Sequence, residues 1–218
     1  MQRDILSSAR IRDAIAFNRF LAAAAARAGQ LLNFSGLAED AGVSVMTAKE
    51  WVGLLERPGI VFLLRPYHPN AIKRAIKTPK LHFFDTGLAA YLTRWPSPDA
   101  LAGSHVAGNI FETFVISEII KSYASAGKDC RFGLHFYRGR DKDRPGGGVG
   151  IGLPMEEDNT LYPMEIKKSA APRKEMASAF EALKRETGKS IGLGAILCQC
   201  DRKTYLSDDL IALPLEYV

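Results

Sequence analysis

Cysteine is scarce in this chain: 218 residues contain three, Cys130, Cys198 and Cys200. An odd and small count excludes a disulfide-built scaffold. Cys198-Gln-Cys200 lacks the two-residue spacing and second ligand pair of a structural zinc site, so free thiols in a reducing cytosol are expected. Long apolar runs are missing too. The longest, at residues 20–26 and 191–198, fall far short of the ~20 residues that carry a helix across a bilayer. No charged-then-apolar leader opens the chain, so a soluble, cytoplasmic protein with no membrane partner is expected. Neither sign of charge dominates. Lys plus Arg number 29 against 24 Asp plus Glu, giving +5 and a pI near 9.1, which permits an acidic partner without requiring one.

Familiar catalytic signatures are equally absent. The four histidines (His68, His82, His105, His135) offer no i, i+4 pair for a helical metal site and no Gly-x-Ser-x-Gly partner, so satisfied structural or surface histidines are expected. Thr187-Gly-Lys-Ser190 ends like a phosphate loop. Leu183, however, stands where the first glycine belongs, and strand-like sequence follows where a helix must begin. It reads as a helix-to-strand turn, and the chain is expected not to bind ATP by itself.

With 47% hydrophobic residues the chain can bury a sizeable core. Apolar residues at three- and four-residue spacing predict a helix over 8–28. Two shorter helices are expected at 34–41 and, capped by Ser44, up to about Glu56, with Gly42-Val43 as the turn between them. Trp51, Leu54 and Leu55 are expected in the core. Strand-like segments follow at 60–64 and 80–84, which completes the plan of a winged helix-turn-helix. Lys49 on the second helix, Arg65, Lys73, Arg74 and Lys77 between the strands, and Lys80 just after them are candidate phosphate contacts; a solvated loop of scattered charges is the alternative. The proline-containing stretch 95–99 reads as a linker, so domains of 1–100 and 101–218 are expected. The second part alternates as an α/β pattern: helix 107–125, strands 132–138, 149–155 and 160–168, helix 173–186, strand 191–198 and a last strand at 211–217.

Two acids stand out in that second part. Helical geometry surrounds Glu112 with Val115, Ile116 and Ile119, where an unpartnered carboxylate is costly. Strand alternation puts Glu165 and Lys167 on one face and Tyr162, Met164 and Ile166 on the other. Taken alone, Glu-x-Lys is a weak signal that more often marks a surface ion pair than a site.

The order of elements, an acid-bearing helix, a hairpin, Glu-x-Lys on the next strand, then helix and strand, resembles the restriction-endonuclease-like, or PD-(D/E)XK, fold. That resemblance implies a mixed central sheet, Glu112 and Glu165 as ligands of Mg²⁺, and Lys167 as the group that orients water or stabilises charge. More closely, the chain resembles the C-terminal region of uncharacterised prokaryotic AAA-type ATPases. The resemblance rests on Gly29-Gln-Leu-Leu-Asn33, Val43-Ser-Val-Met-Thr-Ala-Lys49, Pro79-Lys-Leu-His-Phe-Phe-Asp-Thr-Gly-Leu88, Gly108-Asn-Ile-Phe-Glu112, Phe136-Tyr-Arg138 and Leu161-Tyr-Pro-Met-Glu-Ile-Lys-Lys168. It implies an ATPase core as partner, in cis or in trans.

One departure decides the expected chemistry. Members of that group carry Glu-hydrophobic-Asp on the strand before Glu-x-Lys, and here those positions hold Gly150-Ile151-Gly152. Asp141, Asp143 or Asp158 is a candidate substitute for the missing acid. The leading expectation is therefore a non-enzymatic DNA-binding or regulatory module that requires no cofactor. An active Mg²⁺-dependent nuclease using Glu112, Glu165 and Lys167, and a protein-interaction module that never meets nucleic acid, are the alternatives.

Overall fold

The computed structural model describes residues 13–70, 77–138 and 150–218, a mixed α and β chain that divides into two compact units. The first comprises residues up to Leu63 and Pro79–Phe114, the second Leu64–Thr78 and Val115–Val218. No helix among the described residues is long and apolar enough to cross a membrane.

In the first unit, α1 (Ala14–Ala26) begins where Asp13 accepts a hydrogen bond from the Ala16 amide at 2.9 Å. Its alanine run buries Ala23, Ala24 and Ala25, and small side chains let α2 (Phe34–Ala41) approach closely through Ala38 and Ala41. Gly42 ends α2 at φ 71°, a left-handed conformation that glycine adopts without Cβ strain. Ser44 then caps α3 (Val45–Glu56), its Oγ accepting from the Thr47 amide at 3.0 Å. Ser44→Ala should cost about 1 kcal/mol in urea denaturation, because that amide loses its partner. Trp51 meets the rings of Phe17 and Phe20 edge-on at 5.1 and 5.3 Å, which places it in the core as the sequence predicts.

Three strands complete this unit in the order β1-β3-β2: β1 (Gln30–Leu31), β2 (Val61–Leu64) and β3 (Lys80–Phe83), with β1 antiparallel to β3. Asp85 caps α4 (Thr86–Leu92) by accepting from the Leu88 amide at 3.0 Å. Within the stretch 95–99, Ser97 caps α5 (Pro98–Ala102), and Pro98 occupies a first-turn position that needs no amide proton. The long helix α6 (Ala107–Ser125) follows, beginning in the first unit and ending in the second.

The second unit is built on a six-stranded mixed sheet, β10-β11-β9-β7-β6, with β8 also against β7. Its strands are β6 (Leu153–Glu157), β7 (Thr160–Lys167), β8 (Ser190–Ile191), β9 (Gly194–Cys198), β10 (Thr204–Ser207) and β11 (Leu210–Pro214), while β4 (Tyr137–Arg138) and β5 (Gly150–Ile151) pair separately. β6 and β7 form a hairpin whose turn residues, Asp158 and Asn159, both have positive φ (47° and 62°), the conformation that tight hairpins demand and that Asp and Asn tolerate. β7 pairs parallel to β8 and β9, and β9 parallel to β11. The connection back to β8 runs through α7 (Phe180–Thr187), which buries Leu183 and closes at Gly188 with φ 62°. The Thr187–Ser190 segment is thus a helix-to-strand turn, as its sequence indicates.

Candidate functional site

Strand β7 lies between β6 and β9, so its side chains on both faces meet neighbouring strands. Leu161, Pro163 and Glu165 are buried in alternation, whereas Tyr162 is exposed. Glu165 thus lies on the buried face, at 5% exposure, where an ionised carboxylate needs partners. The Lys167 Nζ stands 2.7 Å from Oε1, and the Gly152 amide donates to Oε2 at 3.3 Å. The backbone of the very residue that replaces the expected Asp thus meets Glu165. Lys167 is the more open partner, its side chain 44% exposed, and in register it sits opposite Cys198 of β9.

Glu112 is handled in the same way. It is half-buried on α6, and Lys80 Nζ on β3 approaches its Oε1 to 2.8 Å. Lys80, expected among the phosphate-facing cations, is thus held by a carboxylate and has a side chain only 21% exposed. The next residues on the same two elements form a second polar contact, His82 Nδ1 with Thr113 Oγ1 at 3.0 Å.

His82 departs from the expectation of a satisfied histidine. It is fully buried, stacked on Phe62 with ring centroids 5.1 Å apart, and its Nε2 has no hydrogen-bond partner. Burial, and secondarily the positive charge of Lys80, push its pKa down to about 3. The ring is neutral at physiological pH, and either tautomer leaves one nitrogen unsatisfied. No sequence spacing marks it, because its burial arises from the register of β3.

The remaining site candidates are divided between the two units. Lys49 is exposed on α3, with its Nζ 5.7 Å from the Phe34 ring centroid. Arg65 and Lys77 are exposed and belong to the second unit, whereas Lys49 and Lys80 belong to the first. The Arg65 carbonyl accepts from the Phe136 amide at 3.1 Å, and Tyr67 next to it is buried among Tyr137, Leu161, Ala179 and Leu183. Lys73 and Arg74 lie outside the described residues.

The acids proposed to stand in for the missing Asp fare differently. Asp158 occupies the hairpin turn, and Glu165 lies five residues up β7 from Thr160 at the hairpin's end, roughly 16 Å along an extended strand. Asp158 therefore does not reach Glu165. Glu156 of β6 is taken by Lys189 in an ion pair. Asp141 and Asp143 lie outside the described residues. Among the described residues no group of three or more His, Cys, Asp or Glu side chains could hold a metal ion. The side chains described do not fit the Mg²⁺ site that the fold resemblance implies, since each of its two carboxylates is already matched by a lysine.

Comparison with known sequences adds family membership but no activity. Residues 107–218 match the model of a family described as a domain of unknown function, DUF4143, and residues 1–99 that of a second such family, DUF8612. Two curated mycobacterial proteins, the uncharacterized proteins Mb2031c of Mycobacterium bovis and Rv2008c of Mycobacterium tuberculosis, are each 26% identical over 192 residues. The alignment covers 87% of this chain and 40% of either relative, so the chain spans about two fifths of their length. No solved structure matches it.

Proposed function

The chain belongs to the DUF4143 family of domains of unknown function, and from that membership and the matched charges at Glu165 we propose that it is the non-ATPase portion of an AAA-type ATPase, a DNA-binding and regulatory module that does not cut. On this reading the first unit is a winged helix. The second is a restriction-endonuclease-like domain that retains Glu-x-Lys and has lost its metal.

The observation that carries the reading is the pairing at Gly152. A hard divalent cation is held by several oxygen ligands, with carboxylates supplying the charge. Here a backbone amide stands where the second carboxylate belongs, and Lys167 already provides the positive charge beside Glu165. Without a second carboxylate Glu165 is a thin site for such an ion, and without the ion the means of activating water is gone, while Lys167 keeps the buried carboxylate compensated. The exposed cations Lys49 and Lys77 are the candidates to meet phosphates, while Lys80 is withdrawn from that role by Glu112.

Fluorescence anisotropy of a labelled duplex, titrated in EDTA at low and moderate salt, tests this. Binding should weaken steeply with salt, and each phosphate contact removed by Lys49→Ala or Lys77→Ala should reduce the slope of log K against log salt by about 0.9. With Mg²⁺ added the duplex should stay intact. Cleavage that Glu165→Ala abolishes would establish the nuclease instead. Absence of binding at either salt would favour a protein-interaction module, a reading to which the exposed Val45 and Met46 of α3 (41% and 64%) lend support.

A further inference from the structure

Strand β9 ends at Cys198, and the chain bends at Gln199, whose amide donates to the Ser169 carbonyl at 2.9 Å. An extended strand would send residues 198 and 200 to the same face but some distance apart. The bend instead returns Cys200 against the cluster of Cys198, Ile196, Leu210 and Ala212, so that both thiols pack into the same small cluster. Their accessibility differs: Cys198 is fully buried, whereas Cys200 is half-exposed, and neither is in a disulfide. Two thiols held together, one open to solvent and one sheltered behind it, are the arrangement in which an incoming oxidant is captured by the first sulfur and displaced by the second.

We propose that Cys198 and Cys200 form a reversible redox modification site, closed to an intrachain disulfide by exchange with a low-molecular-weight disulfide. Cys200 loses its proton and its sulfur attacks one sulfur of the reagent, forming a mixed disulfide and expelling one thiolate. The Cys198 sulfur, giving up its own proton, then attacks the Cys200 sulfur and expels the second thiolate. The two released protons and two thiolates make two molecules of thiol. The protein pair is thereby oxidised by two electrons and the reagent reduced by two. Its exposure makes Cys200 the entering nucleophile, and the buried Cys198, whose thiol burial and then its neighbour Cys200 push up to about 11, the resolving one. A ring spanning only three residues gains little from loop closure and is strained, and such disulfides are the ones readily reduced again. The site therefore opens when a dithiol is supplied. Its position, at the residue paired with Lys167 on β7 and with Pro214 on β11, puts the modification beside the Glu-x-Lys strand.

The test uses the whole protein and oxidised glutathione. After exposure under native conditions, free thiols are alkylated and the protein is digested with trypsin, which releases residues 190–202 as one peptide carrying Cys198 and Cys200 and not Cys130. That peptide should be lighter by two hydrogens than its reduced form and should take up neither alkyl group, and dithiothreitol before alkylation should restore both labels. Cys198→Ser should retain glutathione on Cys200, because the resolving sulfur is gone. The proposal is overturned if both cysteines of the wild-type peptide remain fully alkylated, if glutathione stays on Cys200 of the wild type, or if the oxidised product is a disulfide between two copies of the chain.

Discussion

Between pH 7.5 and pH 4 the protein should lose about 3 kcal/mol of folding stability through His82 alone, and urea denaturation across that range should show it. The sign follows from the direction of the shift. His82 in the folded chain has its pKa lowered to about 3, against an ordinary value of 6.5. Above pH 6.5 the ring is neutral in both states and contributes no pH dependence. Between pH 6.5 and about 3 the unfolded chain takes up a proton that the folded chain refuses, so stability falls with pH. Below about 3 both states are charged and the loss levels off. The refusal has a clear physical origin. A cation would sit against the face of Phe62, with Thr113 as its one hydrogen-bond partner and the Lys80 ammonium two residues away on the same strand. Carboxylates titrate over part of the same range, so the informative comparison is with His82→Phe, which keeps a ring over Phe62 and cannot titrate. The difference in pH slope between the two proteins should be close to one proton near pH 5. Equal slopes, or a His82 imidazole that titrates near 6.5 in NMR spectra, would sink the argument.

The sequence was informative wherever a local rule operates. Ser44 and Gly42 mark helix ends that the structure places at the same residues, because these ends depend on local backbone and side-chain geometry and on nothing distant. The α6 helix and the β7 strand were equally visible from their periodicity. Legibility failed where tertiary contacts decide. The helix expected at 173–186 opens instead as a 3-10 turn over Lys174–Ala177, whose three-residue repeat aligns Ala177 with Phe180 toward the sheet. Strand β10 went unseen because, as an edge strand, it is mostly exposed and carries no apolar alternation. The stretch 132–138 reads as one strand but is divided among a 3-10 turn, isolated bridges and the short β4.

The candidate site was half legible. Glu112, Glu165 and Lys167 could be singled out, but not the partner of Glu112, because its ion pair with Lys80 joins residues 32 apart in sequence. The stretch between β2 and β3 reads as a free basic loop. Composition does not reveal that Tyr67 plugs the second unit's core and fixes Arg65 beside it. Residues 64–78 accordingly belong to the second unit, although they connect two strands of the first.

Restoring one acid should restore a metal: Gly152→Asp is expected to make the protein bind Mg²⁺ or Mn²⁺, and the wild type is expected to show no such binding. Space permits the change. A Cβ at position 152 would meet the Ile166 amide nitrogen at 3.5 Å and the Met164 carbonyl at 3.6 Å, ordinary contact distances, and Gly152 is not among the glycines with positive φ. Because the amide of the same residue already touches Glu165 Oε2, the new carboxylate is built beside the old one. Without an ion the two acids repel, so the variant should be less stable than wild type in EDTA. With an ion at about ten times its dissociation constant, binding adds about 1.4 kcal/mol, a rise of about 4 °C in Tm for a chain of this size. Gly152→Asn fills the same volume without the charge and should show neither effect. Thermal denaturation of the three proteins with and without the ion separates the possibilities. An equal rise in the wild type would mean that another acid already completes the site, and the non-cutting reading would fall with it. A rise confined to Gly152→Asp would locate the loss of the nuclease metal at one backbone position, with Lys167 left to supply the charge.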